Sequence, residues 1–201
     1  PAVVNIGTVT LAKGRRPLSP SPFSDDPLFK DFFEQFFGGG QGPRGEFKQP
    51  SLGSGVIIDK QGLVLTNFHV VGHTRHGDGG VPGTLYTSGD TIRIATVTSA
   101  RDTATPRYLG RVVRADVRLD LAIVRIVSNT DGTALAADAT FPTVELTDTE
   151  GVNPGARVWA FGFPMGVTTI NVTGGNISGF EMSSTREVAW IRTDVEFNPG
   201  N

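Results

Sequence analysis

The 201-residue chain contains no cysteine. That excludes disulfides, thiolate metal sites and a cysteine nucleophile, and it leaves the redox compartment open. No apolar run approaches the roughly 18 residues needed to span a bilayer, and no signal-peptide pattern stands at the start. Pro1 opens within an apolar run, as it would if a leader or anchor had been removed. The formal net charge is only -2 and the charges are scattered, so there is no electrostatic case for a nucleic-acid partner. Histidine is scarce, limited to His69, His73 and His76. These residues form no HExxH pattern, and "GSG" at residues 53–55 is not followed by the Gly-Lys-Ser/Thr of a phosphate loop.

Glycine is abundant at 26 residues, with 13 prolines and an apolar fraction of 38%. Many turn formers, modest charge and enough apolar residues for a core predict a turn-rich, all-β chain. "PAVVNIGTVTL" is rich in β-branched residues and predicts a first strand. After residue 50, "GSGVIID", "LVLT", "DTIRIATVT", "YLGRVVRA", "LAIVRIV", "ARVWAFGF", "TTINVTGGNISGF" and "EVAWIRTDV" are further short strands. Their spacing predicts barrels or sandwiches. Residues 128–142 are expected to link two halves.

Residues 13–50 differ in character. Pro/Gly/Ser-rich stretches flank "DPLFKDFFEQFFGGG", where Asp26 suits an N-cap, Pro27 the first helical position and Gly38 the stop. Phe29, Phe32, Phe33, Phe36 and Phe37 recur at i, i+3, i+4, i+7 and i+8, one face of a short helix. Such a face is expected to cap this domain's own core, to dock on another subunit or to line a cavity.

The candidate chemistry starts at His69, in "LVLTNFHVVGH", where a strand gives way to a turn. A metal reading would combine His69, His73, His76 and Asp78, but the spacing matches no zinc signature. As a general base, His69 needs a carboxylate to fix its tautomer and stabilise the imidazolium. Asp120, just before the apolar "LAIVRI", is the candidate, and Asp116 is the runner-up. A nucleophile should follow, and the order His69, Asp120, then "NPGN" at residues 198–201 is the order of one known triad arrangement.

These segments resemble the protease domain of the HtrA family (Deg proteases). "LGSGVIIDKQGLVLTNFHVV" resembles the family's segment around the catalytic His, "RADVRLDLAIVRI" that around the catalytic Asp, and "WIRTDVEFNPGN" the run into Gly-Asn-Ser-Gly-Gly. "PAVVNI" resembles its first strand, and the Phe-rich insertion its long loop, which in relatives reaches toward neighbouring subunits. Two features depart from the pattern: Phe163 stands where Asn is usual, and residues 73–90 are longer than usual.

The resemblance implies a chymotrypsin-like double β-barrel. The N-terminal barrel would cover 1–127 with the insertion at 13–50, the linker 128–142, and an incomplete C-terminal barrel 143–201. It implies catalytic roles for His69 and Asp120, an oxyanion-hole N–H at Gly200, and a serine after Asn201, with Asn198 and Asn201 adjoining it. Residues 192–198 would border the specificity pocket, and 180–190 would be either an activation-sensing loop or an ordinary solvated turn. Without that serine these residues are expected to be inactive, and the four strands counted after residue 140 are too few for a six-stranded second barrel. A longer parent, with one or more PDZ domains, is expected. The implied function is ATP-independent serine endoproteolysis of misfolded proteins in the periplasm or cell envelope, with no metal or cofactor. Homotrimers or higher oligomers would form through the first strand and the Phe-rich loop. The alternative is a non-catalytic, chaperone-like binder of unfolded polypeptides.

Overall fold

Alternation of apolar and polar residues makes a strand when one face can be buried and the other stays wet. The computed structural model describes residues 1–13, 46–72, 91–148, 150–164, 167–182 and 188–197. Among them lie strands β1 (Val3–Lys13), β2 (Glu46–Asp59), β3 (Leu63–Asn67), β4 (Thr91–Thr96), β5 (Thr105–Asp116), β6 (Leu121–Asn129), β7 (Arg157–Gly162), β8 (Asn171–Met182) and β9 (Val188–Thr193). One helical turn, α1 (Phe68–Val71), follows β3.

Antiparallel pairing closes β1-β2-β3-β6-β5-β4 into a barrel, and β7-β8-β9 form a three-stranded sheet. The architecture is the expected all-β, chymotrypsin-like one, with a complete first barrel and a partial second. In β6, Ala122, Val124 and Ile126 point into the barrel while Leu121, Arg125 and Val127 point out. Val4 and Ile6 of β1, Val64 of β3 and Ile92 and Ile94 of β4 join them in one core.

A second cluster forms the seam between the barrel and the sheet. Ala95, Val97, Ala104 and Phe163 pack there, with Val3 and Ile170 against them. Phe163, the departure from the family pattern, is 1% exposed and is the largest of the fully buried side chains. Its backbone N–H also donates to Ser54 Oγ at 2.8 Å, fastening the sheet to β2.

Two expectations change. Residues 46–50, read as the end of a Pro/Gly/Ser-rich, loop-like stretch, pair with Val9–Lys13 of β1. That pairing comes from a partner distant in sequence, which local composition does not display. After residue 140 there are three strands among the described residues, not four. β8 serves twice, its first half pairing with β7 and its second with β9. At the end of residues 128–142, Phe141 is buried in the barrel core, edge-on to Tyr108, and its N–H donates to Lys60 O. The Phe-rich helix, His73, His76, Asp78, Asn198, Gly200 and Asn201 lie outside the described residues. So does the middle of 180–190, whose two ends belong to β8 and β9.

Candidate active site

The "GSG" segment and a buried threonine set α1 against the barrel. A Cβ on Gly53 would come within 2.5 Å of Val70 Cγ2, and one on Gly55 within 2.6 Å of Ile6 Cδ1. Only glycine allows so close an approach. Thr8 Oγ1 donates to Val70 O at 3.0 Å, satisfying a carbonyl at the helix end. Phe68, Val70 and Val71 are thereby buried, and His69 is the residue of the turn that points outward.

Asp120 reaches this helix from the other side of β3. It is the only non-glycine residue at positive φ (53°) among the described residues. Such a backbone costs on the order of 1–3 kcal/mol and persists when its surroundings over-determine it. Here they do. The Asp120 carbonyl accepts from Phe68 N–H at 3.0 Å and Asn67 Nδ2 at 3.1 Å. Its Oδ1 accepts from His69 N–H at 2.9 Å. Its Oδ2 meets His69 Nδ1 at 2.7 Å and accepts from Asn67 Nδ2 at 3.2 Å. Asp120 therefore caps the Phe68 and His69 N–H groups at the start of the helix while it holds the imidazole ring.

The ionisation state follows from the same contacts. Desolvation pushes the Asp120 carboxyl up, but the hydrogen bonds and charge of His69 and the bond from Asn67 together outweigh it. The net shift is below the ordinary aspartate value, so Asp120 is ionised at neutral pH. An ionised carboxylate only accepts, so His69 Nδ1 carries the hydrogen and Nε2 is the basic nitrogen. With 69% of the His69 side chain and 43% of the Asp120 side chain exposed, the pair contributes little to stability, about 0–1 kcal/mol. What the geometry supplies is an oriented imidazole.

Asp116, the runner-up, does something else. Its Oδ1 accepts from Arg118 N–H at 2.9 Å and Leu119 N–H at 3.0 Å, closing the turn that delivers Asp120. Asn67 was missed by sequence reasoning. It occupies the N-cap position of α1 yet makes no side-chain cap bond, reaching to Asp120 instead. The signal was present as a cap-type residue two positions before the candidate base, but its target is 53 residues away in sequence. Among the described residues, no cluster of three or more His, Asp or Glu is arranged to hold a metal. An apolar cavity of about 270 Å³ lies in the β7–β9 half, lined in part by Ile191, Thr193, Val195 and Phe197. His69 and Asp120 are not among its walls.

A chymotrypsin-like barrel presenting a carboxylate-oriented histidine is the arrangement of the trypsin-like peptidase class. Residues 53–201 match the family model described as a trypsin-like peptidase domain. A "Probable periplasmic serine endoprotease DegP-like" from Marinomonas sp. (strain MWYL1) is 34% identical over 209 residues, covering 100% of this chain and 38% of that protein. A protein of the same description from Pseudomonas putida (strain W619) is 34% identical over 210 residues, covering 100% of this chain and 37% of its own length. The HtrA-type protease AlgW, solved with a decapeptide, superposes with a TM-score of 0.54 at 27% identity, covering 100% of this chain and 50% of that one. The chain belongs to the trypsin-like peptidase family, on its HtrA/Deg branch. It spans under two-fifths of the length of these two DegP-like relatives.

Proposed function

We propose that the complete protein is an ATP-independent serine endopeptidase of the cell envelope that degrades misfolded proteins, with His69 as general base and Asp120 as its orienting carboxylate. The observation that carries this reading is the 2.7 Å contact between His69 Nδ1 and Asp120 Oδ2. A serine following Asn201 would be the nucleophile. His69 Nε2 takes its proton as the oxygen attacks the scissile carbonyl, and Asp120 stabilises the resulting imidazolium. The Gly200 N–H, with that of the serine, would hold the oxyanion. His69 then returns the proton to the leaving amine, and water releases the acyl group by the same base. The periplasmic descriptions of the relatives support the compartment. Assembly into trimers through β1 and the Phe-rich loop belongs to the same proposal.

The test is labelling of the complete protein with a fluorophosphonate, which reacts with activated serines. Labelling that His69→Ala abolishes is the expected result. No labelling, with retained binding of an unfolded polypeptide such as reduced casein, would overturn the protease reading in favour of the non-catalytic binder.

A further inference from the structure

Where β9 ends, the chain leaves the sheet by a set of contacts that the triad chemistry does not use. Thr193 is the last residue of β9 and pairs with Ile177 of β8. One step further along β8, Asn176 has no strand partner on that edge, because its ladder partner Arg157 lies on the β7 side. The Thr193-Asp194 dipeptide supplies the missing bonds. Thr193 Oγ1 donates to Asn176 O at 2.9 Å, and Asp194 N–H donates to the same carbonyl at 3.2 Å. The Asn176 N–H donates to Asp194 Oδ1, and Asn176 Nδ2 to Asp194 Oδ2 at 3.4 Å.

The next residues are held by the same strand. Val195 N–H donates back to Thr193 Oγ1 at 3.1 Å, and Thr173 Oγ1 of β8 donates to Glu196 O at 3.0 Å. Gly175 makes room. A Cβ there would overlap Asp194 Oδ1 and come within 2.8 Å of the Val195 nitrogen. The Asn176 N–H is also the chief reason that the Asp194 carboxyl lies below its ordinary value, against desolvation, so the acceptor is ionised at neutral pH. Thr193, Asp194 and Glu196 are thus bonded to one strand, with Val195 tied back to Thr193, and Phe197 follows directly before "NPGN".

We infer that Asp194 and Asn176 form a clamp that aims the chain into Gly200 and the residue after Asn201, making Asp194 a positioning residue for the oxyanion hole and the nucleophile. This rests on the serine-peptidase reading above. Asp194 touches neither His69 nor Asp120 in any of these contacts, so it acts on a different member of the machinery. Reaction geometry is unforgiving: a displacement of about 1 Å can cost on the order of 100-fold in rate.

The test measures the second-order rate of fluorophosphonate labelling in the complete protein and its variants. Asp194→Ala is expected to lower that rate by about 10- to 100-fold, with the acid limb of the pH–rate profile unmoved because the His69–Asp120 pair is intact. Asp194→Asn keeps an oxygen for the Asn176 N–H and should recover most of the loss. Thr173→Val, a milder change that removes only the Glu196 tether, should give a smaller loss in the same direction. It decides the matter if Asp194→Ala does not fold. Wild-type rates in Asp194→Ala or Thr173→Val, or losses matched by the loss of folded protein, would overturn the clamp and leave the protease reading standing. An unmodified protein inert to the probe would overturn the protease reading itself, and the clamp's role with it.

Discussion

The closed barrel and the β7–β9 sheet are built from the same kind of sequence and differ in what they bury. In the barrel, Val4, Ile6, Val64, Ile94 and Val124 are wholly inaccessible. In the sheet, Trp159, Phe161, Trp190 and Ile191 are between 44% and 69% exposed within these 201 residues. Hydrophobic alternation is therefore not what makes a core. Closure is, because it supplies a second wall for each inward face and removes the strand edges. The same contrast holds for chemistry. The barrel presents a histidine and aspartate already bonded, whereas the sheet contributes a fastened chain segment whose next residues would carry the oxyanion hole.

The largest expected effect tests the barrel's share of the chemistry. Asp120→Asn in the complete protein should lower kcat by about 10⁴-fold, because an amide facing Nδ1 favours the wrong imidazole tautomer. The fold should be little altered, since the exposed pair contributes little to stability. Steady-state kinetics with an unfolded protein substrate, beside circular dichroism, checks both halves. A loss below tenfold would mean that the oriented base does not belong to the reaction.

The second effect tests closure directly. Ile94→Ala removes a wholly buried side chain from the barrel and should cost about 2–5 kcal/mol. In a chain of these 201 residues, Ile191→Ala, at 44% exposed, should cost under about 1.5 kcal/mol, because much of that surface already meets water. Denaturant unfolding of the two variants reads the difference. Equal losses would show that the sheet face is as well covered as the barrel interior.

How much of this was legible beforehand follows the same division. The strands of the barrel were readable from "LVLT" and "LAIVRIV", whose alternation reports a buried face directly. His69 and Asp120 were readable because each sits at the end of such a strand, in a recognisable order. Contacts between residues distant in sequence were not. Asn67 looks like a helix cap, and only the left-handed turn at Asp120 brings its true partner within reach. Residues 46–50 look like a loop until β1 is found alongside. Phe163 looked like a blemish in a family motif, and its role in the seam depends on Ala95, Val97 and Ala104 arriving from β4 and beyond.

A third, smaller effect isolates Asn67. Asn67→Ala removes two donors to Asp120 while leaving both bonds from His69. Lost hydrogen bonds at an exposed site are worth on the order of 0.5–1.5 kcal/mol each, so a modest drop in thermal stability is expected. The pH readout is sharper. The carboxylate should titrate closer to its ordinary value, because one of the groups lowering it is gone. The stability lost between neutral pH and the acid range should therefore be smaller than in wild type. An unchanged pH dependence with the same stability loss would reduce Asn67 to a structural tie.

The smallest effect compares the two halves through their aspartates. Asp120 in the barrel and Asp194 after β9 are both held below the ordinary value, Asp120 against desolvation, its largest single cause, by His69 and Asn67 acting together, and Asp194 chiefly by the Asn176 N–H. A lowered folded-state pKa means that the ionised group stabilises the fold fully above the unfolded value. That stabilisation is lost as the pH falls through the folded one. The thermal midpoints of Asp120→Asn and Asp194→Asn should each lie below wild type at pH 7 and converge with it in the acid range below the ordinary aspartate value. Both gaps should be slight, because Asp194 is exposed and Asp120 is only about half-buried. Added salt separates them: it should narrow the Asp120 gap, part of which is the attraction to the His69 ring, more than the Asp194 gap, which rests mainly on a neutral backbone donor. Equal salt sensitivity would mean that the barrel's pair and the sheet's clamp are held by the same kind of force, and the electrostatic part of the contrast between the two halves would fall.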